Sequence, residues 1–304
     1  MIKKQKQNDN GRAFEYAVAT TLAELSGSSI ITDISAEESF GIQSETTKIN
    51  MLANAKAAIT HILMKDDKLR NGEVLYNSNS AGQSGDVRDI LIKVGTKIVG
   101  ISCKNNHEAL KHSRLSKKLD FITKWGVNSN GCSQTYWNAV NPVFDDIQNK
   151  KIISNGTDLW TTIYGESIGK MVYWPILDAW ECELRRVYKD APKETAKNIL
   201  SYIVGKQDFY KVIRQDGKNL VKLQVWNFNK TLPFQRTEFP SAIIDIQNLN
   251  GGQYSKTIYF NKGYTINFRL HNAKSRLETS LKFDIQALGL PVSIYQQELE
   301  VANF

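Results

Sequence analysis

The chain has 304 residues, a length that at roughly 150 residues per domain suggests about two domains. Hydrophobic residues make up 41% and charged residues 23%, with only 6 Pro, which excludes a disordered, collagen-like or disulfide-stapled chain. Thirty-nine Lys and Arg against 31 Asp and Glu leave a formal net charge of +8, a balance that favours a polyanionic partner.

The basic start, MIKKQKQNDN, runs into GRAFEY without an apolar stretch, so no signal peptide is expected. Residues 10–25 predict a helix, with Asn10 or Asp9 as its cap and Phe14, Val18, Leu22 and Leu25 on one face. Residues 48–64 predict a second helix, and the Ser/Asn/Gly-rich segment 77–85 a loop. The period then becomes two: 89–94 and 97–104 read as strands around Gly95-Thr96, a pair that suits a type II′ hairpin turn. Residues 106–124 are polar and helical in composition, and YWNAVNPVFDDIQ and 177–203 also read as helices. Beyond about residue 205 the strings VKLQVWNF, SAIIDIQ, SKTIYF, YTINFRL and SLKFDIQ predict strands. Nowhere do about 18 apolar residues follow one another, so no membrane span is expected and the cytoplasm is the expected compartment.

The hairpin concentrates the chemistry. If Val94 faces Lys97, counting back puts Asp89 opposite Ser102, and period-two alternation puts Lys104 on the same face one diagonal step away. Asp86 lies just ahead on the incoming segment. Hydrolysis of a phosphodiester needs a divalent ion on hard oxygen ligands, and a nearby lysine can position water and stabilise developing charge. The competing reading is a plain surface Asp–Lys pair.

The strings GDVRDILI and GISCKNNHEALKHSRLSKKLDF, with GRAFEY early and FRLHNAKSRLETSLKFDI late, resemble the HaeIII-type restriction endonucleases of the PD-(D/E)xK nuclease superfamily. The resemblance implies an α/β restriction-endonuclease-like core, a mixed sheet flanked by helices, with a β-rich C-terminal region. It matches Asp89 to the metal-binding aspartate and Lys104 to the catalytic lysine, with Mg²⁺ as cofactor. Ser102 departs from the pattern, because the superfamily carries Glu or Asp there. The missing carboxylate has two candidates, Asp86 and Glu15 of GRAFEY. The implied reaction is cleavage of double-stranded DNA at 5′-GGCC-3′ to leave blunt ends. A palindromic target suits a two-fold dimer, with a monomer nicking twice as the alternative, and a cognate methyltransferase as functional partner. A repair or recombination nuclease of the same fold and a non-catalytic DNA-binding protein are the rivals.

Two basic stretches fit DNA contact. Residues 103–124 hold six Lys/Arg against two acids, and on the predicted helix His107, Lys111, Arg114 and Lys118 share a face, with His112 and Lys117 nearby. Residues 256–282 hold six Lys/Arg against Glu278 alone; here Arg269, His271 and Asn272 sit at a strand end, followed by Lys274, Arg276 and Lys282. The three cysteines, Cys103, Cys132 and Cys182, have no CxxC spacing, and Cys103 with His107 and His112 cannot aim at one point from a helix, so no zinc site is expected. The expected division is a catalytic core over 1–204 and a β-rich, DNA-gripping region over 205–304, with a soft boundary.

Overall fold

In the computed structural model, which describes residues 7–77, 85–128, 130–249 and 254–301, the hairpin is the element that fixes the first sheet. Strands β3 (Ile90–Val94) and β4 (Lys97–Asn105) pair antiparallel from Val94↔Lys97 to Ile90↔Ile101. Gly95 sits at φ +59 while Thr96 stays out of the left-handed region, the pattern of a II′ turn. The predicted loop at 77–85 lies almost wholly outside the described residues.

By contacts the chain forms two units, each with its own sheet: Met1–Glu108, Gly205–Glu238 and Val292–Phe304 in one, Ala109–Val204 and Phe239–Pro291 in the other. This division does not follow the expected 204/205 boundary. Strands predicted for a separate C-terminal region are shared out, because each sheet recruits the strands that complete its buried face.

The first unit carries α1 (Gln7–Ser26), β1 (Ser29–Ile30), α2 (Ile34–Gly41), α3 (Glu45–Lys65) and β2 (Glu73–Tyr76), then β3 and β4, and later β6 (Phe209–Arg214), β7 (Leu220–Trp226) and β12 (Tyr295–Glu300). Its seven strands run in the order β1-β2-β3-β4-β6-β7-β12. The β1–β2 and β4–β6 pairs are parallel and the others antiparallel, so the sheet is mixed, as expected. Helix α1 begins at Gln7, which places Asp9 and Asn10 inside its first turn rather than at the cap. Ala13, Phe14, Ala17 and Val18 of α1 are fully buried in one core with Val99, Ile101 and Cys103 of β4. Three alanine or valine side chains among those four leave little between helix and sheet, which brings the neighbouring Glu15 close to the end of β4.

The second unit holds β5 (Lys111–Ser116), five helices, α4 (Phe121–Lys124), α5 (Gln134–Ile153), α6 (Trp160–Ile163), α7 (Trp174–Asp190) and α8 (Pro192–Val204), and β8 (Ile243–Asn248), β9 (Ser255–Phe260), β10 (Thr265–His271) and β11 (Ser280–Gly289). Pro192 splits the predicted 177–203 helix in two by starting α8. The five strands form an antiparallel sheet in the order β5-β11-β10-β9-β8. One face of it packs on aromatic rings: Trp180 lies 4.9 Å from Phe268 and 5.3 Å from Phe283, centroid to centroid.

The helix predicted over 106–124 is not formed. Residues 111–116 are strand β5, paired with β11 from Ser116↔Ser280 to Lys111↔Ile285, and only Phe121–Lys124 is helical. The hydrogen bonds and burial of Ser113 and Leu115 gained on a sheet edge outweigh a helical composition that is only a weak preference. Among the described residues no helix is long and apolar enough to cross a membrane.

A Cβ at Gly95 would meet nothing within 4 Å, so the cost of replacing it is set by backbone conformation alone. Gly95→Val is expected to lower unfolding stability by about 1–2 kcal/mol, read as a shift of the urea midpoint. An unmoved midpoint would mean that the turn does not set the hairpin register.

Candidate active site

Asp89 stands one residue beyond the paired part of β3, and β4 runs past it. The Asp89 amide still donates to the Ile101 carbonyl at 2.9 Å, which continues the register and sets Asp89 opposite Ser102. Three donors then reach a single carboxylate oxygen: to Asp89 Oδ2, the Cys103 amide at 2.7 Å, Ser102 Oγ at 3.1 Å and Lys104 Nζ at 3.4 Å. The juxtaposition of Asp89, Ser102 and Lys104 counted from the sequence is therefore present.

The charges around this point are interdependent. Burial acts to lower the Lys104 ammonium, but Asp89, helped by Glu15, outweighs it and holds Lys104 above the ordinary lysine range. Burial and then the Asp89 carboxylate push the Glu15 carboxyl up to about 8, against the opposing pull of Lys104 and Arg12. Glu15 thus belongs to the electrostatic neighbourhood of the hairpin.

Asp86, the other candidate acid, is turned elsewhere. Its Oδ1 accepts from Arg88 N at 3.1 Å and Nε at 2.9 Å, and its Oδ2 from Nη2 at 2.7 Å. Burial acts to raise this carboxyl, and Arg88 overrides it and holds it below its usual range. Neither Asp89 nor Lys104 figures among the groups that set it. Asp86 and Arg88 form a local clasp, which commits this carboxylate to Arg88.

No group of three or more carboxylate, thiol or imidazole side chains converges as a ready-made metal cage among the described residues. Two carboxylates suffice for Mg²⁺, which keeps several waters and takes further oxygens from a phosphate. Asp89 and Glu15 fit that pattern, since the Asp89 carboxylate raises the cost of ionising Glu15 and a cation beside them would relieve it. Cys103 is buried, as a structural thiol would be.

The two basic stretches come out differently from the helical-face picture. His107 is an exposed residue of the segment after β4, in the first unit, whereas 111–118 belong to the second. On strand β5 Lys111 points inward: its Nζ donates to the Tyr202 carbonyl at 2.8 Å and lies 4.1 Å from the Tyr202 ring centroid. Burial and then Lys124 lower it to about 8. His112 and Arg114 point the other way and are exposed. Lys117 is also exposed and pairs with Asp145 at 2.6 Å, and Lys118 is exposed on the turn that follows.

In the second sheet the register brings the two stretches together. Arg114 pairs with Lys282 and Lys282 with His271, while His112 pairs with Asp284 and Asp284 with Arg269. Cross-strand partners share a face, so His112, Arg114, Lys282, Arg269 and His271 form two adjacent rows on the side away from the aromatic core. Asn272 is committed within its own loop: its amide nitrogen donates to the Lys274 carbonyl at 2.7 Å, and its Oδ1 accepts from the Tyr173 hydroxyl at 3.0 Å. Lys274 and Arg276 are exposed in that loop, Lys274 at 3.6 Å from Glu278.

One buried group escaped the sequence reading. Lys211 of β6 pairs in parallel register with Ser102 and is 2% exposed. Its string, FYKVIR, is buried at every position, so it shows none of the alternation by which half-buried strands are recognised.

The family model described as HaeIII restriction endonuclease matches residues 11–291. The type II restriction enzyme HaeIII of Haemophilus aegyptius is 32% identical to the chain, over 95% of this chain and 96% of that protein. No solved structure gives a significant match. The chain belongs to the HaeIII restriction endonuclease family and is a type II restriction endonuclease.

Proposed function

We propose that this restriction endonuclease hydrolyses phosphodiester bonds of double-stranded DNA at a short palindromic site, GGCC cut to blunt ends, with Mg²⁺ as cofactor. The reading rests on one observation, the convergence of Ser102, the Cys103 amide and Lys104 on Asp89 with Glu15 electrostatically coupled to them. Asp89 and Glu15 would hold the cation. When bound, the ion supplies charge neutralisation at the scissile phosphate and a more acidic water.

The chain's own residues divide the remaining work. Lys104 is held as an ammonium, so it acts by orienting the attacking water and stabilising charge on the phosphate rather than by removing a proton. Ser102 and the Cys103 amide fix the Asp89 carboxylate so that it does not swing toward Lys104 alone. Asp86, bound to Arg88, orders the segment leading into Asp89. The cationic rows of the second sheet, with Lys117, Lys118, Lys274 and Arg276, track the phosphate backbone, and His107 of the first unit is a separate candidate phosphate contact. A two-fold dimer would present one hairpin to each strand, and a methyltransferase that modifies the same site in the cytoplasm would protect host DNA.

Asp89→Ala and Lys104→Ala are each expected to slow plasmid cleavage by about 10²–10³-fold or more, with DNA binding in a gel-shift assay nearly intact; cutting at the wild-type rate would remove the assignment. Glu15→Gln should raise the Mg²⁺ concentration needed for half-maximal rate, and Asp86→Asn should change it much less. Because a carboxyl held near 8 must give up its proton to a cation, the Mg²⁺ requirement of the wild type should fall as pH rises from 6.5 to 8.5. Glu15→Gln should flatten that slope, and an unaltered slope would take Glu15 out of the ion site. For the sheet face, the Arg114→Ala/Lys282→Ala pair should weaken binding evenly across sequences and reduce the salt slope by about 1–2. An unchanged slope would move the DNA off this face.

A further inference from the structure

Lys211 is a lysine 2% exposed in the first sheet, and nothing in the cleavage scheme above uses it. In a parallel pair the directly opposed residues point the same way at about 4.8 Å spacing. Ser102↔Lys211 therefore puts Lys211 on the face that carries Ser102 and Lys104, while the partner of Lys104 itself is the apolar Ile213. At the position where a superfamily member carries an acid, this chain has a hydroxyl with a second amine beside it.

The amine is tied down. Lys211 Nζ donates to the Glu108 carbonyl at 2.9 Å, and the Glu108 carboxylate accepts from Lys222 at 3.1 Å and from Gln215 at 3.3 Å. Two residues earlier Asn106, at φ +61, donates its amide to the Arg214 carbonyl at 2.8 Å and accepts from the Asp216 amide at 2.6 Å. The segment that leaves Lys104 is thus fastened to β6 and β7 at both Asn106 and Glu108. On its other side Lys104 pairs with Asp89 at 3.4 Å.

We propose that Lys211 is a positioning residue for Lys104: it anchors the segment after β4 through Glu108, and its amine beside Ser102 confines the Lys104 ammonium to the Asp89 side of the face. The electrostatics agree, since burial and then the Lys104 ammonium push Lys211 down to about 7, whereas Lys104 is held up. Of the two neighbouring amines, the one on Asp89 keeps the charge. The inference rests on the reading of Asp89 and Lys104 as the cleavage site.

The test compares wild type, Lys211→Met, Lys211→Arg and Lys104→Ala by steady-state cleavage of a GGCC-containing duplex with Mg²⁺, alongside urea unfolding. Lys211→Met is expected to lower kcat by about 10–100-fold, with KM changed less than about threefold and the urea midpoint kept. Lys211→Arg, which retains a donor toward the Glu108 carbonyl, should recover most of kcat. If Lys211→Met does not fold, Lys211→Gln is read in the same way. A Lys211→Met or Lys211→Gln enzyme as fast as wild type, beside an inactive Lys104→Ala, would overturn this inference alone. A loss of kcat that follows the loss of stability and that arginine does not recover would also overturn it. A wild-type chain that never cuts would overturn the reading of the site and this inference with it.

Discussion

A carboxylate held half-buried at the end of a hairpin has to be satisfied, and β4 does much of this for Asp89. The three donors at Oδ2 are a main-chain amide, a hydroxyl and an ammonium, all from consecutive residues of β4. Leaving such a group unpaired would cost several kcal/mol, so the arrangement fixes the carboxylate and with it the position of Lys104. The same negative charge disfavours ionisation of Glu15, whose helix is locked to β4 by small buried side chains. One carboxylate therefore organises an amine and raises the proton affinity of a second acid.

The precision of this point depends on where β4 lies in its sheet. It is bonded to β3 on one edge and to β6 on the other, so Ser102 and Lys104 sit on a strand fixed from both sides. The parallel bond to β6 cannot be made by a short turn. The chain leaves the first unit after Glu108 and returns at Gly205, with residues 109–204 between. A site built on a central strand is held more closely than one on a loop, which is what cleavage geometry demands.

The hairpin was legible because two local signals agree: a Gly at the turn and strict alternation on both sides of it. Glu15 was legible only through resemblance, since an acid on an amphipathic helix carries no sign of the strand it will meet. The Asp86–Arg88 clasp spans two residues, yet nothing in the spacing says whether such an acid turns to its neighbour or to the hairpin. Residues 106–124 were misread because lysine-rich composition imitates a surface helix. The alternation of Ser113 and Leu115 with His112 and Arg114 is the better signal, and the partner strand that makes sense of it lies some 170 positions on, at 280–285. The sharing of strands between the sheets was hidden for a related reason: β6, β7 and β12 look like neighbours of β8–β11 in composition, and only pairing shows that they complete another sheet.

The second sheet carries a cost that calls for a reason. Arg114 lies directly opposite Lys282 in register, and like charges in such a pair are destabilising. Burial lowers the Lys282 ammonium, and Arg114 lowers it further against the pull of Asp284. Glu278 compensates only in part, with Arg114 at 3.2 Å and a side chain that must also serve Lys274. Asp284, opposite both His112 and Arg269, offsets part of this repulsion. The remaining positive charge is partly desolvated, and on the DNA-binding reading proposed above a phosphate there would gain more than it would from a fully hydrated lysine. On that reading, repulsion among these cations in the free protein would become attraction for a polyanion, and the stability given up would return as affinity for DNA.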